Sequence, residues 1–173
     1  MRFQGNIYLM GFMGCGKTTV GKFLSRFTGR PFIDVDEVIV KETGLSISEI
    51  FGKKGESYFR ELEKSMVTKI TQQKGYVVAL GGGAVVNHEN WEKISTSGIT
   101  VTLSYPPEII AKRLEGKTSR PLMNNINRNE RLFHISNLMK KREPFYKRAD
   151  LTLHFNVEIA PQKVAGMIKA YLA

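Results

Sequence analysis

A parallel β-sheet covered by helices on both faces, an α/β fold, is the arrangement this sequence predicts, and three observations carry the expectation. Short apolar runs alternate with stretches of helical periodicity along the chain. The first apolar run ends in a glycine-rich turn that leads straight into a helical stretch, the order of a strand–loop–helix unit. The length of 173 residues and the 42% hydrophobic content suit one domain with its own core.

Asn6-Ile7-Tyr8-Leu9-Met10 reads as a buried parallel strand, being short, apolar and closed by glycine. Val20, Phe23, Leu24 and Phe27 recur at helical spacing and predict a helix that Gly29 ends. Pro31 to Val35 and Tyr76 to Leu80 read as the second and third strands, and the β-rich runs Ile99 to Leu103 and Leu151 to Phe155 as two more. Tyr58, Leu62, Met66 and Ile70 space a helix between the second and third strands, with Arg60 at its beginning. Leu132, Ile135 and Met139 mark another helix that carries Arg142 near its end. Val164, Met167, Ile168, Tyr171 and Leu172 stripe a last helix that Pro161 opens. The stretch from Gly116 to Asn127 is rich in Gly, Ser, Thr, Pro and Asn, lacks periodicity and reads as a loop or lid. Nothing in the sequence divides the chain, so residues 1–173 are expected to form a single domain.

The composition is too apolar for disorder, and the single cysteine, Cys15, excludes a disulfide scaffold and fits a reducing compartment. No apolar run approaches the ~20 residues of a membrane span, and the first residues lack the pattern of a signal peptide. A cytoplasmic location is therefore expected. The formal net charge is +10, and it is concentrated between Lys112 and Arg148, where eleven basic residues face three acidic ones. An anion-binding cleft, a nucleic-acid surface and a solvated helix face all fit that excess.

Gly11-Phe12-Met13-Gly14-Cys15-Gly16-Lys17-Thr18 matches the phosphate-loop pattern G-x-x-x-x-G-K-[ST], in the strand-to-helix setting that gives the pattern its meaning. Glycines let consecutive backbone N–H groups turn toward a polyphosphate, and the helix that follows adds its positive end. Gly14, Cys15, Gly16, Lys17, Thr18 and Thr19 are the expected nucleotide contacts. Lys17 would reach the β- and γ-phosphates, and the Thr18 hydroxyl would serve Mg²⁺, which prefers oxygen ligands. Cys15, at a helix N-terminus, is either a reactive thiol or a buried inert one.

Asp34 and Asp36 fall at the end of the second predicted strand at i, i+2, which would project both carboxylates from one face at the end of the sheet where α/β proteins bind ligands. There they could place Mg²⁺ and orient or deprotonate a hydroxyl. Alternatively, one of them caps a helix that begins near Glu37. Gly81-Gly82-Gly83 costs chain entropy and is expected where something approaches the backbone closely, or where a helix packs tightly. Arg60 and Arg142, each taken alone, read as surface residues.

Together these motifs resemble the shikimate kinase family. The resemblance runs through Gly11 to Thr18, Phe32-Ile33-Asp34-Val35-Asp36, Phe59-Arg60-Glu61-Leu62-Glu63, Val77 to Gly83, Arg113-Leu114, Arg120-Pro121-Leu122 and Arg142-Glu143-Pro144-Phe145-Tyr146. It implies a P-loop NTPase fold of the nucleoside-monophosphate-kinase type, with a five-stranded parallel sheet, a substrate-binding region over about 34–63 and a lid over about 112–127. It implies transfer of the ATP γ-phosphoryl group to the 3-hydroxyl of shikimate, with one Mg²⁺ ion per subunit. By the same resemblance Lys17, Asp36 and Arg120 are catalytic, and Thr18 and Asp34 serve the metal. Arg113 and Arg120 join the loop in binding ATP, Arg113 lying near the adenine. Asp36, Arg60, Gly81, Gly82, Gly83 and Arg142 bind shikimate, the two arginines holding its carboxylate and Glu63 steadying Arg60.

A gluconate or nucleoside monophosphate kinase of the same fold is the nearest rival, and the paired arginines favour a carboxylate over a nucleobase. A basic nucleic-acid-binding module is opposed by aromatics dispersed through the expected core. A nucleotide-binding regulator without turnover is the third alternative. The expected partners are small molecules, with no nucleic acid and no membrane, and the expected state is a monomer.

Overall fold

The structure is a computed structural model that describes residues 3–115 and 128–173. Its elements run β1 (Asn6–Met10), α1 (Lys17–Thr28), β2 (Phe32–Asp34), α2 (Val35–Thr43), α3 (Ile47–Thr71) and β3 (Val77–Ala79), then a 3₁₀ turn (Ala84–Val86) and α4 (His88–Ser97). They continue with β4 (Gly98–Ser104), α5 (Pro107–Leu114), α6 (Arg128–Tyr146), β5 (Leu151–His154) and α7 (Pro161–Tyr171). All pairings are parallel, in the order β2-β3-β1-β4-β5. The five predicted strands are all present, each within two residues of its expected limits. Helices α1 and α7 pack together, as do α3 with α4 and α5 with α6. Parallel strands covered this way lose their alternation, and every residue of β1 and β3 is buried.

The helices depart from their predicted stripes at the edges. Val20 and Leu24 are buried in α1 but Phe27 is exposed. In α7, Val164, Ala165 and Ile168 form the buried face while Met167 and Tyr171 face outward, and in α6 Ile135 is buried but Leu132 is exposed. Helix α3 is the largest correction. It begins at Ile47 behind a capping box made by Ser46 and Glu49, and it is interrupted at Gly55, whose φ of 86° and ψ of 167° lie outside helical space. Beyond that break the buried face is Phe59, Glu63, Met66, Val67 and Ile70, with Tyr58 exposed. Arg60 lies five residues past that break, in the second turn of the helical segment that follows it.

The register sets the site. Leu9 pairs with Ala79 and Ala79 with Asp34, so the segments that follow β1, β2 and β3 leave the sheet side by side. Those segments are the phosphate loop, Asp34 to Asp36, and the glycine triplet, which the sequence separates by tens of residues. Of the expected lid, only the part to Glu115, including the end of α5, belongs to the described residues. Among the described residues no helix is long and apolar enough to cross a membrane.

Candidate active site

Gly11, Gly14 and Gly16 have φ values of 134°, 80° and 97°, a left-handed backbone that curls the phosphate loop around its own centre. Gly16 is the N-cap of α1, and that end has neither a side-chain cap nor an acidic residue in its first turn. Its N–H groups and positive pole thus remain available to an anion. Lys17 Nζ donates to the carbonyls of Gly11 at 2.9 Å and Phe12 at 3.2 Å, and lies 3.8 Å from Cys15 Sγ, which keeps the ammonium folded over the loop. Cys15 is 2% exposed, the buried of its two expected states. Gly14, Gly16, Lys17, Thr18 and Thr19 line a cavity of about 540 Å³ together with Asp34 and Asp36.

The two aspartates do not share a strand face, because β2 ends at Asp34 and α2 begins at Val35. Asp34 is the N-cap of α2, its Oδ1 accepting from the N–H groups of Asp36 at 3.0 Å and Glu37 at 3.3 Å. Its Oδ2 accepts from the Thr18 hydroxyl at 2.6 Å. The capping alternative therefore holds for Asp34, and the same carboxylate still reaches the phosphate loop. Thr18 Oγ1 and Asp34 Oδ2 are hard oxygen donors beside the phosphate-binding N-terminus of α1, a set that fits Mg²⁺, which takes one or two protein oxygens and completes its shell with phosphate and water.

Asp36, on the first turn of α2, lines both the large cavity and a narrower one of about 50 Å³ walled by Arg60, Glu63, Gly81, Gly82, Gly83 and Arg142. Here side-chain ends come close to the backbone of the triplet. A Cβ on Gly81 would collide with Glu63 Oε1, one on Gly82 would lie 3.3 Å from Arg142 Nη1, and one on Gly83 would lie 2.7 Å from Arg60 Nη1. Charged side chains crowd the backbone at all three positions. Arg60 donates through Nη1 to Glu63 at 2.8 Å and through Nη2 to Glu56 at 2.9 Å. Burial opposes its charge, but the two carboxylates outweigh that and hold its pKa above the ordinary value. Glu63 is 1% exposed, and burial raises its pKa against the pull of Arg60. Arg142, far from being a surface residue, is 8% exposed, with its guanidinium 5.7 Å from the Phe12 ring centroid.

Arg113 donates to the Gly14 carbonyl at 3.1 Å, pairs with Glu158 and lies 4.0 Å from the centroid of Tyr105, which itself packs on Phe155. The hydrogen bond from Arg113 lowers the pKa of Glu158 and raises its own. Sequence reasoning missed Glu158, Tyr105 and Phe155, which carry no motif. It also passed over Glu56, although Glu56 stands at i, i+4 from Arg60, a spacing that pairs charges on a helix. Arg120 lies outside the described residues.

A parallel sheet in the order 2-3-1-4-5, with this loop at the end of its central strand and a second, arginine-walled pocket beside it, defines a P-loop phosphotransferase acting on a small molecule. A family model described as shikimate kinase matches residues 13–172. A shikimate kinase from Thermodesulfovibrio yellowstonii is 44% identical over 96% of this chain and 94% of its own length. The structure of the Acinetobacter baumannii shikimate kinase in complex with shikimate superposes with a TM-score of 0.92 at 37% identity, covering 97% of this chain and 92% of that one. A gluconokinase from Sinorhizobium meliloti shares the fold alone, at 17% identity and a TM-score of 0.58. The chain belongs to the shikimate kinase family.

Proposed function

We propose that this chain transfers the γ-phosphoryl group of ATP to the 3-hydroxyl of shikimate, giving shikimate 3-phosphate and ADP. The observation that carries the reading is the pair Arg60 and Arg142, from α3 and α6, set into one narrow pocket floored by Gly81 to Gly83 and reached by Asp36. Two guanidiniums held there suit a carboxylate, which they bind by charge-assisted hydrogen bonds.

Arg60 and Arg142 hold the acceptor so that its hydroxyl faces Asp36. Asp36 orients that hydroxyl and takes its proton as the oxygen bonds to phosphorus, while the bridging oxygen leaves with ADP. Asp34 is committed to capping α2 and to Thr18, which leaves Asp36 the carboxylate on the acceptor side. Lys17 gives up its loop carbonyls for the phosphates, and Arg120 adds positive charge to the transferring group. Thr18 and Asp34 would hold Mg²⁺, which when bound neutralises phosphate charge. Positioning and charge neutralisation account for the rate, since the loose transition state of phosphoryl transfer asks little covalent chemistry of the protein.

The same proposal takes residues 1–173 as a single kinase domain with a substrate-binding region over 34–63 and a lid over 112–127. It is monomeric and cytoplasmic, with small molecules as its partners. It is tested by following ADP release with shikimate, gluconate, AMP and CMP offered separately with MgATP. Release stimulated by shikimate alone is the expected result, and stimulation by gluconate or by a nucleotide in its place would overturn the reading.

A further inference from the structure

Tyr146 closes the last recognisable motif, Arg142 to Tyr146, and has no part in the chemistry described above. It ends α6 and is 9% exposed. Its hydroxyl donates to the Gly82 carbonyl at 2.5 Å. The hydroxyl therefore holds the glycine floor at the residue that Arg142 lies beside. Gly82 in turn lies beside the phosphate loop: a Cβ there would lie 3.4 Å from Met13 N and 3.6 Å from Gly11 O, besides the 3.3 Å to Arg142. The loop reaches the arginine a second time through the Phe12 ring.

Tyr146 is itself anchored from elsewhere. Pro144 removes a helical N–H from the last turn of α6, and that turn is held instead by the hydroxyl of Thr102 on β4, which donates to the Tyr146 carbonyl at 2.9 Å. The phenol is thus a strut from the sheet that meets Gly82, the residue lying between Arg142 and the loop that binds ATP. In this structure the loop carbonyls of Gly11 and Phe12 accept from Lys17, and they lose that donor when the ammonium turns to a phosphate. The Gly11 carbonyl is one of the groups beside Gly82, so its rearrangement is felt there.

We infer that Tyr146 is a positioning residue that couples the two halves of the cleft, its hydroxyl transmitting the state of the nucleotide-bound loop to Arg142 through the Gly82 peptide. The inference rests on the functional reading above, in which Arg142 holds the acceptor carboxylate. Burial raises the pKa of Tyr146, so the group acts as a neutral donor throughout the working pH range.

The experiment is calorimetric titration of shikimate with and without MgADP, on the wild type, Tyr146→Phe and Thr102→Val, with the Tm of each. In the wild type MgADP tightens shikimate binding by roughly fivefold or more, the usual lower range for coupled sites. Tyr146→Phe keeps the ring, melts within a few degrees of the wild type and gives the same shikimate affinity with and without MgADP. Thr102→Val, which loosens the anchor but leaves the hydroxyl, lowers the Tm and keeps part of the tightening. A Tyr146→Phe enzyme with the wild-type ratio, a wild type with no tightening, or a Thr102→Val enzyme that loses it as fully would each overturn the inference. Failure of the wild type to bind shikimate at all would remove the functional reading instead.

Discussion

The Thr18 hydroxyl donates to Asp34 Oδ2 at 2.6 Å while Oδ1 of the same carboxylate caps α2, so one side chain ties the phosphate loop to the element that carries Asp36. The two duties separate by substitution. Asp34→Asn keeps an N-cap oxygen and loses the charge, so it should melt near the wild type and need far more Mg²⁺ to reach its maximal rate. Asp34→Ala should lose both, with about 1 kcal/mol less stability as well. Rate against Mg²⁺ concentration, read beside thermal melts, distinguishes them. Unchanged Mg²⁺ dependence in Asp34→Asn would take this residue off the metal site.

Arg60→Ala and Arg142→Ala should each weaken shikimate binding by roughly 2–5 kcal/mol, the range for truncating one partner of a desolvated charge pair. The Arg60 effect belongs at the lower end, because Glu56 and Glu63 already engage that guanidinium and it is only partly buried. Nucleotide affinity should stay near the wild type in both. Calorimetry with each ligand separately gives the answer, and loss of ATP binding with shikimate binding retained would put these arginines on the other half of the cleft.

The parts of this molecule that were legible in the sequence are those whose signal is local. Asn6 to Met10 followed by Gly11 to Thr18 declares both a strand and its use, since an apolar run and a phosphate loop each fit within ten residues. Helices α4 and α5 show no stripe because they bury only two residues each, Asn90 and Ile94 in one and Ile110 and Leu114 in the other. The i, i+2 reading of Asp34 and Asp36 failed where the chain turned from strand to helix between them, a change that leaves the residue types the same. The burial of Arg142 follows from α6 meeting the 3₁₀ turn after the glycines, a contact between segments some sixty residues apart that no window of sequence reveals. Only the family resemblance assigned it to the site.

The N-terminus of α3 offers a test of stability apart from chemistry. Hydrogen bonds from the Ser46 backbone and hydroxyl, with Lys53 nearby, lower the Glu49 pKa from 4.5 to about 2. A carboxylate depressed in the folded state stabilises above its unfolded pKa, and that contribution is lost as pH falls through the folded value. The difference in Tm between the wild type and Glu49→Gln should therefore be present at pH 7 and shrink from about pH 4.5 downward. Ser46→Ala should lower the Tm at neutral pH by about 2–4 °C, the shift expected for losing one cap in a chain of this size. A Glu49→Gln difference that does not vary with pH would show that the box does not depend on charge.

Arg120, assigned by resemblance, should act on the transition state more than on binding. Arg120→Ala is expected to lower kcat by about 10³-fold, the lower part of the range for arginine fingers, because Lys17 and Mg²⁺ still serve the phosphates. Both dissociation constants should move little, and Arg120→Lys should recover little, lacking the planar fork. Steady-state kinetics with separately measured dissociation constants checks this, and an unchanged kcat in Arg120→Ala would strike the residue from the catalytic set.

The central claim is that the acceptor hydroxyl beside Asp36 is the 3-hydroxyl of shikimate, held by its carboxylate. Phosphorus NMR of a reaction of the wild-type enzyme with MgATP and shikimate tests it most directly. One new phosphomonoester signal, coupled to the proton on C3 and formed in equal amount with ADP, is the predicted result. An ester at another hydroxyl, or ADP accompanied only by free phosphate, would contradict it.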